Sequence, residues 1–272
     1  MADRLRLTIL GCGSSPGVPR PNGDWGACNP SNPKNKRKRA AALVERISDG
    51  GITRVVIDTG PDFREQMIAA KVDFIDAVVL THAHADHIHG IDDLRSYYLD
   101  KRQLIDVYAD QVTFERVDQA FGYCYTTPVG SSYPPILRDR RIQHFRPFTI
   151  EGKGGALTFE PLPQQHGDIV SLGLRLGSIA YCSDVSQYPD ATANRLHGLD
   201  CLVIDALQYR SHPSHFSLSE ALGWIERLAP KRAVLTHMHV PLDYDVVQRE
   251  TPDHVVPAYD GLVIEADCLD QA

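Results

Sequence analysis

The chain has 272 residues, of which 43% are hydrophobic and 23% are charged, and its formal net charge is −7. This composition excludes a largely disordered chain, and the acidic charge argues against binding of nucleic acid through bulk electrostatics. No segment approaches the roughly 20 apolar residues of a membrane-spanning helix, and the N-terminal residues lack the apolar core of a secretion signal.

Apolar runs predict a series of short strands, many of them continuous, which is typical of strands covered on both faces. In chain order they are residues 5–10, 41–45, 55–57, 77–80, 105–109, 157–159, 172–176, 179–182, 202–204, 233–235 and 262–264. Helical spacing predicts helices at residues 61–70, 112–121 and 217–228, the last with Ser217 and Glu220 placed as in a capping box. The alternation predicts a single α/β domain over residues 1–272, with residues 121–147 as an insertion or lid.

The densest functional signal lies directly after the predicted strand at residues 77–80. Residues 82–87 read His-Ala-His-Ala-Asp-His, so four potential ligands fall within six positions: His82, His84, Asp86 and His87. Imidazole and carboxylate groups together suit divalent ions such as zinc or manganese. Because the turn through Ala85 re-aims the second pair of side chains, one segment can supply ligands to two adjacent ions.

Further candidate ligands follow other apolar runs, namely His166, Asp184 and His237. Folds of the α/β class commonly place functional groups at the C-terminal ends of strands. Taken singly, each residue has an ordinary explanation as a cap, a surface residue or a turn former. Together with residues 82–87 they form one consistent metal-binding scheme.

The order His-x-His-x-Asp-His, then His166, Asp184 and His237, resembles the metallo-β-lactamase superfamily, and the resemblance runs from residue 5 to residue 264. It implies a four-layer αββα sandwich of the α/β (α+β) class, in which two mixed sheets pack face to face with helices outside. The superfamily hydrolyses lactams, thioesters and phosphodiesters, so the fold alone does not define the substrate.

The resemblance also implies how the ligands divide between two ions. The first ion would be held by His82, His84 and His166. The second would be held by Asp86, His87 and His237, with Asp184 bridging both ions. Asp86 is also expected to act in catalysis. Asp58, in Val-Ile-Asp-Thr-Gly, would orient a ligand histidine, with a plain turn residue as the alternative.

A glycine-rich segment near the start narrows the branch of the superfamily. Residues 10–20, Leu-Gly-Cys-Gly-Ser-Ser-Pro-Gly-Val-Pro-Arg, resemble the start of the phosphoribosyl cyclic phosphate phosphodiesterases, which are relatives of ribonuclease Z. Glycine allows tight turns there, and free N–H groups and hydroxyls could line a phosphate pocket. The segment therefore favours phosphodiester chemistry, with substrate contacts from Ser14, Ser15 and Arg20, and from His239.

His215 lies between Asp184 and His237, just before the predicted helix at residues 217–228. In the phosphodiesterase branch a histidine in this region assists catalysis without being a main metal ligand, and His215 matches that place. It is expected to contact the phosphoryl oxygen or to protonate the leaving oxygen, since imidazole titrates close to working pH. His212 is the competing candidate for this role.

One departure from the cyclic phosphodiesterase group concerns cysteine. Members often carry a cysteine-rich structural zinc site after the glycine-rich start, whereas only Cys28 remains here, and one thiol cannot close a four-ligand site. No extra zinc is therefore predicted. The six cysteines, Cys268 included, are scattered, which favours reduced thiols in a cytoplasmic protein. The basic run at residues 34–39 is interpreted as a solvated loop, with contact to RNA or a phosphate-rich ligand as the alternative.

The sequence thus predicts a hydrolase that cleaves a small or cyclic phosphodiester, such as a nucleotide or sugar phosphate, with a hydroxide bound by two divalent ions. Zinc, manganese and iron all suit the ligands. The alternatives are a ribonuclease Z-like nuclease, a thioesterase or glyoxalase II-like hydrolase, and a metal-binding redox or sensor protein without turnover. Nucleic acid is not favoured as a partner, no membrane partner is expected, and a homodimer stays open.

Overall fold

The computed structural model describes residues 3–267, so Cys268 lies outside the described part of the chain. In this range the strands are β1 (Arg4–Gly11), β2 (Ala41–Ser48), β3 (Gly51–Ile57), β4 (Ala77–Val79), β5 (Ile105–Ala109), β6 (Leu137–Arg141), β7 (Phe148–Ile150), β8 (Leu157–His166), β9 (Ile169–Leu176), β10 (Ile179–Cys182), β11 (Cys201–Asp205), β12 (Arg232–Thr236), β13 (Val255–Pro257) and β14 (Val263–Asp267). The α-helices are α1 (Phe63–Ala70), α2 (Ala85–Ile88), α3 (Arg95–Lys101), α4 (Gln111–Phe121), α5 (Asp190–Ala193), α6 (Leu218–Leu228) and α7 (Tyr244–Glu250).

The strands form two mixed sheets of seven strands each, in the orders β14-β1-β2-β3-β4-β5-β6 and β13-β12-β11-β10-β9-β8-β7. In the first sheet β1, β2 and β3 are antiparallel, and the pairs from β3 to β6 are parallel. In the second sheet β8, β9 and β10 are antiparallel, and the pairs from β10 to β13 are parallel. Each sheet therefore combines a set of antiparallel strands with a set of parallel strands.

The main hydrophobic core lies between the two sheets, where Leu7 and Ile57 of the first sheet share a cluster with Leu174 of the second. Helices cover the outer faces. Phe63 of α1 joins a second cluster behind the first sheet, and Ile225 of α6 packs on the other sheet. Burial on both faces explains the continuous apolar runs. The αββα sandwich predicted from the sequence is confirmed.

The predicted helix starts agree with the structure to within two residues. Ser217 caps α6, because its hydroxyl accepts from the Glu220 N–H at 3.3 Å while its own N–H donates to the Glu220 carboxylate at 2.8 Å. The predicted capping box is confirmed. Asp110 caps α4 by accepting from the Thr113 N–H at 2.9 Å.

Part of the segment at residues 121–147 is a sheet element, contrary to its interpretation as an insertion or lid. Residues 137–141 form β6, which pairs with β5 at the edge of the first sheet, and Leu137 is buried. The sequence Leu-Arg-Asp-Arg-Arg contains no apolar run, so this strand was not predicted. Charged side chains are common on a strand at the edge of a sheet. For the rest of residues 121–147 the insertion or lid stays a prediction.

The basic run at residues 34–39 is not a solvated loop, so that interpretation is wrong. Arg37 is only 2% exposed, and its guanidinium donates to the carbonyl oxygen of Leu242 at 2.7 Å. The other contacts of the run pair Lys34, Lys38 and Arg39 with Tyr244, Asp260 and Asp62. This run therefore ties the N-terminal segment to the loop between β12 and α7.

Neither a bilayer-spanning helix nor a disulfide occurs within residues 3–267. Each helix there is too short or too polar to cross a membrane. The five cysteines of this range are buried free thiols.

Candidate metal centre

Five strands carry the candidate site at one edge of the sandwich. β8 ends with His166, and the residues that follow β3, β10 and β12 include Asp58, Asp184 and His237. The fifth strand, β4, leads into residues 82–87, of which Ala85–Ile88 forms the short helix α2. Because parallel strands end at the same edge of their sheet, side chains remote in sequence meet there.

Three of these residues turn the chain sharply at the strand end. Asp58, Asp184 and His237 have φ angles of 65°, 53° and 57°, in the left-handed region that non-glycine residues seldom adopt. Such backbone strain clusters at functional sites and persists only where the surrounding structure imposes it. All three residues are at most 2% exposed.

The predicted ligands form two adjoining groups. His82, His84 and His166 make the first group, and Asp86, His87, Asp184 and His237 make the second. Within each group, one ligand atom from every residue lies within 4.8 Å of the others. The structure therefore brings together all seven side chains that the sequence singled out as ligands.

Asp184 lies between the two groups. Its Oδ1 atom is 3.3 Å from Nε2 of His87 and 3.2 Å from Nε2 of His237, both in the second group. The same oxygen is 3.9 Å from Nε2 of His82 and of His166, both in the first group. One carboxylate oxygen thus lies within 4 Å of imidazole nitrogens from both groups.

Hydrogen bonds at the far side of the rings orient the histidines. Asp58 accepts from Nδ1 of His87 at 2.7 Å, which leaves Nε2 of that ring for a metal ion. The Ser214 carbonyl accepts from Nδ1 of His166 at 2.6 Å with the same result. Thr81 joins the Asp58 carboxylate to Nδ1 of His82, at 2.9 Å and 3.0 Å. Asp58 thus lies where it can orient two of the rings.

Several polar atoms that point into the cluster have no hydrogen-bond partner within the described residues. They are His82 Nε2, His87 Nε2, His237 Nε2 and Asp184 Oδ2, and all are buried. A buried polar atom without a partner is costly, so such a set is explained if it binds a ligand. Imidazole nitrogens with carboxylate oxygens fit borderline divalent ions. The residues present therefore fit a metal centre.

Burial and neighbouring charges lower the pKa values of three members of the cluster. Burial lowers the pKa of His82 well below its usual value and that of His166 to about 4, so both rings are neutral and able to coordinate. Burial alone would raise the pKa of Asp184, but His237 and His87 outweigh it and hold that pKa well below its usual range. Asp184 is therefore an anion.

His215 lies beside the cluster and is held by a carboxylate that was not among the residues predicted from the sequence. Asp205, the last residue of β11, accepts from Nδ1 of His215 at 2.7 Å. The His215 ring stacks on His237 with centroids 4.5 Å apart and contacts His166 at 4.6 Å. The signal for Asp205 was an acid that ends the apolar run 202–204, the same pattern that marks Asp58 and Asp184.

An open cavity of about 220 Å³ adjoins the cluster. It is lined by Ser14, Ser15, Pro16, Leu207, Gln208, His212, His215, His237 and His239. Three of the four predicted substrate contacts thus reach one cavity. The fourth, Arg20, instead contacts the His239 ring, with 2.6 Å between Nη2 and Nε2.

Cys28, the remnant of the cysteine pattern, lies in a different environment. Its thiol is buried and lies 3.4 Å from the carbonyl oxygens of Val240 and Leu242. Nη1 of the buried Arg37 is 3.8 Å from the Cys28 sulfur. A guanidinium thus contacts this thiol.

Comparisons with known proteins agree with this architecture. The Beta-lactamase superfamily domain matches residues 53–238. The crystal structure of a diphosphatase from the PhnP family is 35% identical, with a TM-score of 0.87 over 99% of this chain and all of the other. Zn²⁺-bound PqqB from Methylobacterium extorquens, 18% identical, has a TM-score of 0.71 over 95% of this chain and 99% of the other, which shows the fold alone.

A curated relative carries a different name. The octanoyltransferase of Porphyromonas gingivalis is 33% identical over 263 residues, which cover 95% of this chain and 51% of that protein. The chain therefore spans about half the length of this relative.

The two stacked mixed sheets, with a His/Asp cluster at one edge that fits a metal ion, are the architecture of the metallo-β-lactamase fold. The chain belongs to the metallo-β-lactamase superfamily, and its match to the PhnP-family diphosphatase supports the phosphodiesterase branch. Both parts of the resemblance seen in the sequence are confirmed.

Proposed function

We propose that this protein is a phosphodiesterase that uses two divalent metal ions to hydrolyse a small or cyclic phosphodiester, such as a nucleotide or sugar phosphate. The observation that carries the proposal is the convergence of seven ligand side chains beside His215 and an open cavity. The 35% identity with a diphosphatase supports a phosphoryl compound as the substrate class.

In this proposal the two groups of side chains divide the ions between them. His82, His84 and His166 would hold one ion, Asp86, His87 and His237 would hold the other, and Asp184 lies between the two groups. Zinc, manganese or iron ions bound there would lower the pKa of a coordinated water and offset charge on the phosphoryl oxygens. The buried carboxylates keep the charge of such a pair partly neutralised.

His215 is the proposed proton donor. Because Asp205 accepts from Nδ1, the Nε2 atom of His215 is the one available to the substrate. A proton held at Nε2 would pass to the leaving oxygen as its bond to phosphorus breaks. His212 lines the same cavity, but it is exposed and its Nδ1 atom faces Ser214. The contacts of His215 therefore favour it over His212.

The shape and charge of the molecule support a small substrate. The cavity beside the cluster, about 220 Å³, is lined by serine, histidine and glutamine side chains. The basic run that could have contacted RNA is engaged within the protein, where Arg37 is buried. A ribonuclease Z-like role is therefore the weaker alternative.

Acyl hydrolysis is the second candidate, and the 33% identity with an octanoyltransferase favours it. The deciding experiment compares bis(p-nitrophenyl) phosphate with an octanoyl thioester, using protein loaded with zinc or manganese. The proposal expects kcat/KM for the phosphodiester to be higher by at least tenfold, and Asp184→Ala to abolish this activity. Faster hydrolysis of the thioester would contradict it and favour the acyl alternative.

A further inference from the structure

The segment that follows β1 lies beside the metal centre and meets His239 there. Ser14 Oγ is 2.7 Å from Nδ1 of His239, and Arg20 Nη2 is 2.6 Å from Nε2 of the same ring. Both ring nitrogens of His239 are therefore engaged, one by a hydroxyl and one by a guanidinium. This chain of side chains ends at the cavity, because Ser14 and His239 line it.

Only one placement of the protons is consistent with the contacts among Ser14, His239 and Arg20. A guanidinium carries only donors, so Nε2 of His239 must accept from Arg20 and carries no proton. The ring proton is then on Nδ1, which donates to Ser14 Oγ. The Ser14 hydroxyl accepts in this contact, and its own proton has no acceptor among the described residues.

Ser14 is thus a hydrogen-bond donor without a partner at the wall of the cavity. The residue is only 2% exposed, and a buried hydroxyl that donates to nothing is costly. His215 and His237 line the same cavity, which places this donor near the proposed reaction centre.

We propose that Arg20 locks His239 in the Nδ1–H tautomer and thereby dedicates the Ser14 hydroxyl to donating to a phosphoryl oxygen of the substrate. The phosphoryl part of this inference rests on the proposed function, whereas the tautomer does not. A phosphoryl oxygen is an acceptor, so its partner must be a donor. The Ser14 hydroxyl is such a donor, because its oxygen already accepts from His239 and its proton is left to donate.

Arg20 acts in this arrangement as a positioning residue and does not contact the substrate. Its Nη1 donates to Asp24 at 2.8 Å while Nη2 donates to His239. The backbone of His239 is fixed as well, because the buried Arg37 donates to its carbonyl oxygen at 3.4 Å. Arg20 is predicted from the sequence to bind the substrate directly, whereas its contacts here give it an indirect role.

The first test reads the tautomer without any activity measurement. The probe is the ¹⁵N spectrum of the imidazole groups in zinc-loaded protein, because zinc is diamagnetic. We expect His239 to carry its proton on Nδ1, and Arg20→Met to populate the other tautomer. Arg64→Met is the matched control, since Arg64 is exposed and pairs with its neighbour Glu65. A proton on Nε2 of His239 in the unaltered protein would overturn the inference.

The second test is a double-mutant cycle with inorganic phosphate as the probe, measured by calorimetry on zinc-loaded protein. Ser14→Ala is expected to weaken phosphate binding about fivefold to tenfold, as loss of one hydrogen bond does. Arg20→Met should weaken it to a similar or smaller extent. The double variant should bind no more weakly than Ser14→Ala alone, because Arg20 acts through Ser14.

Two outcomes of the cycle would refute the inference. Additive losses in the double variant would mean that Arg20 touches the phosphate itself. Unchanged phosphate binding in Ser14→Ala would mean that the hydroxyl does not donate to it. Failure of the proposed function would be a separate result. In that case the phosphate affinities of the variants would change as predicted, but the protein would hydrolyse no phosphodiester.

Discussion

Asp205 and His215 form a buried pair in which the carboxylate Oδ2 accepts from the imidazole Nδ1 at 2.7 Å. The same oxygen accepts from the Val185 N–H at 2.9 Å, so the carboxylate is fixed by the backbone after β10. Asp205 is fully buried. The pair therefore fixes both the tautomer and the orientation of the His215 ring.

The first prediction concerns the leaving group. If His215 protonates the leaving oxygen, His215→Ala should lower kcat for a 2′,3′-cyclic nucleotide by about 10²–10⁴-fold, because a ribose hydroxyl leaves poorly without a proton. The loss should be much smaller for bis(p-nitrophenyl) phosphate, whose leaving group is a weak base. Steady-state kinetics with both substrates measures the difference.

Asp205→Asn provides the matched test of the pair. It keeps the size of the side chain but removes the charged acceptor, so it should reproduce the leaving-group dependence of His215→Ala in weaker form. Equal losses on the two substrates for either variant would contradict the role in proton donation.

The second prediction concerns metal removal. A ligand that binds only the folded state stabilises it, by about 2.7 kcal/mol at a free concentration of 100 times Kd. Chelation should therefore lower the Tm, and zinc or manganese should restore it. Asp184→Asn should weaken metal binding by at least about tenfold, since this carboxylate contacts both groups.

Scanning calorimetry with metal analysis of dialysed protein measures this effect. Asp253→Asn is the control, because Asp253 is exposed and remote in sequence from every ligand. A Tm that chelators leave unchanged in protein shown to contain metal would argue against a metal centre that stabilises the fold.

The residues of the site were predictable because each belongs to a local pattern. A continuous apolar run ending in His or Asp marks a buried strand and a group at its C-terminal end, as with Asp184 after β10. His82 to His87 are adjacent in sequence, so no tertiary contact was needed to group them. Asp205 carries the same pattern, but an acid after a strand also suits an ordinary turn.

The contacts of Arg20 and Arg37 could not be predicted, because they depend on tertiary neighbours. Two of the partners of Arg37 are the carbonyl oxygens of His239 and Leu242, more than 200 positions away in sequence. Every residue has a backbone carbonyl oxygen, so the sequence does not indicate which of them accepts a hydrogen bond. β6 was missed for a related reason, since pairing at a sheet edge does not require an apolar run.

The third prediction concerns the close approach of two site loops. A Cβ atom at Gly60 would lie 2.0 Å from the carbonyl oxygen of Asp86, a contact that only a backbone shift can relieve. Thr59 N–H also donates to the His87 carbonyl at 2.7 Å, so the shift would move the ligand segment. Gly60→Ala should therefore lower the free energy of unfolding by about 1–3 kcal/mol and weaken metal binding.

Gly223→Ala is the matched control for this substitution. Gly223 lies within α6, and a Cβ atom there meets nothing within 4 Å. Alanine should stabilise that helix by up to about 1 kcal/mol. Urea denaturation of both variants measures the two effects, and a Gly60→Ala protein as stable as the unaltered one would contradict the predicted clash.

The fourth prediction is a pH dependence that arises away from the metal centre, at Asp260. Burial raises the pKa of this carboxyl to about 6, although N–H groups of Lys38 and Cys12 and the Lys38 ammonium oppose the shift. Between its usual pKa and about pH 6 the folded protein holds a proton that the unfolded chain has released. Stability from this group is therefore highest at low pH and is lost as the pH rises through about 6.

Relative to Asp260→Asn, the unaltered protein should lose up to roughly 3 kcal/mol of unfolding free energy between about pH 4 and pH 7. Urea denaturation of both proteins across this range gives the difference, in which titration of the metal centre cancels. Asp253→Asn again serves as the control, because it makes the same substitution at an exposed carboxylate. Parallel stability curves for Asp260→Asn and the unaltered protein would show that the Asp260 carboxyl titrates alike in the folded and unfolded chains.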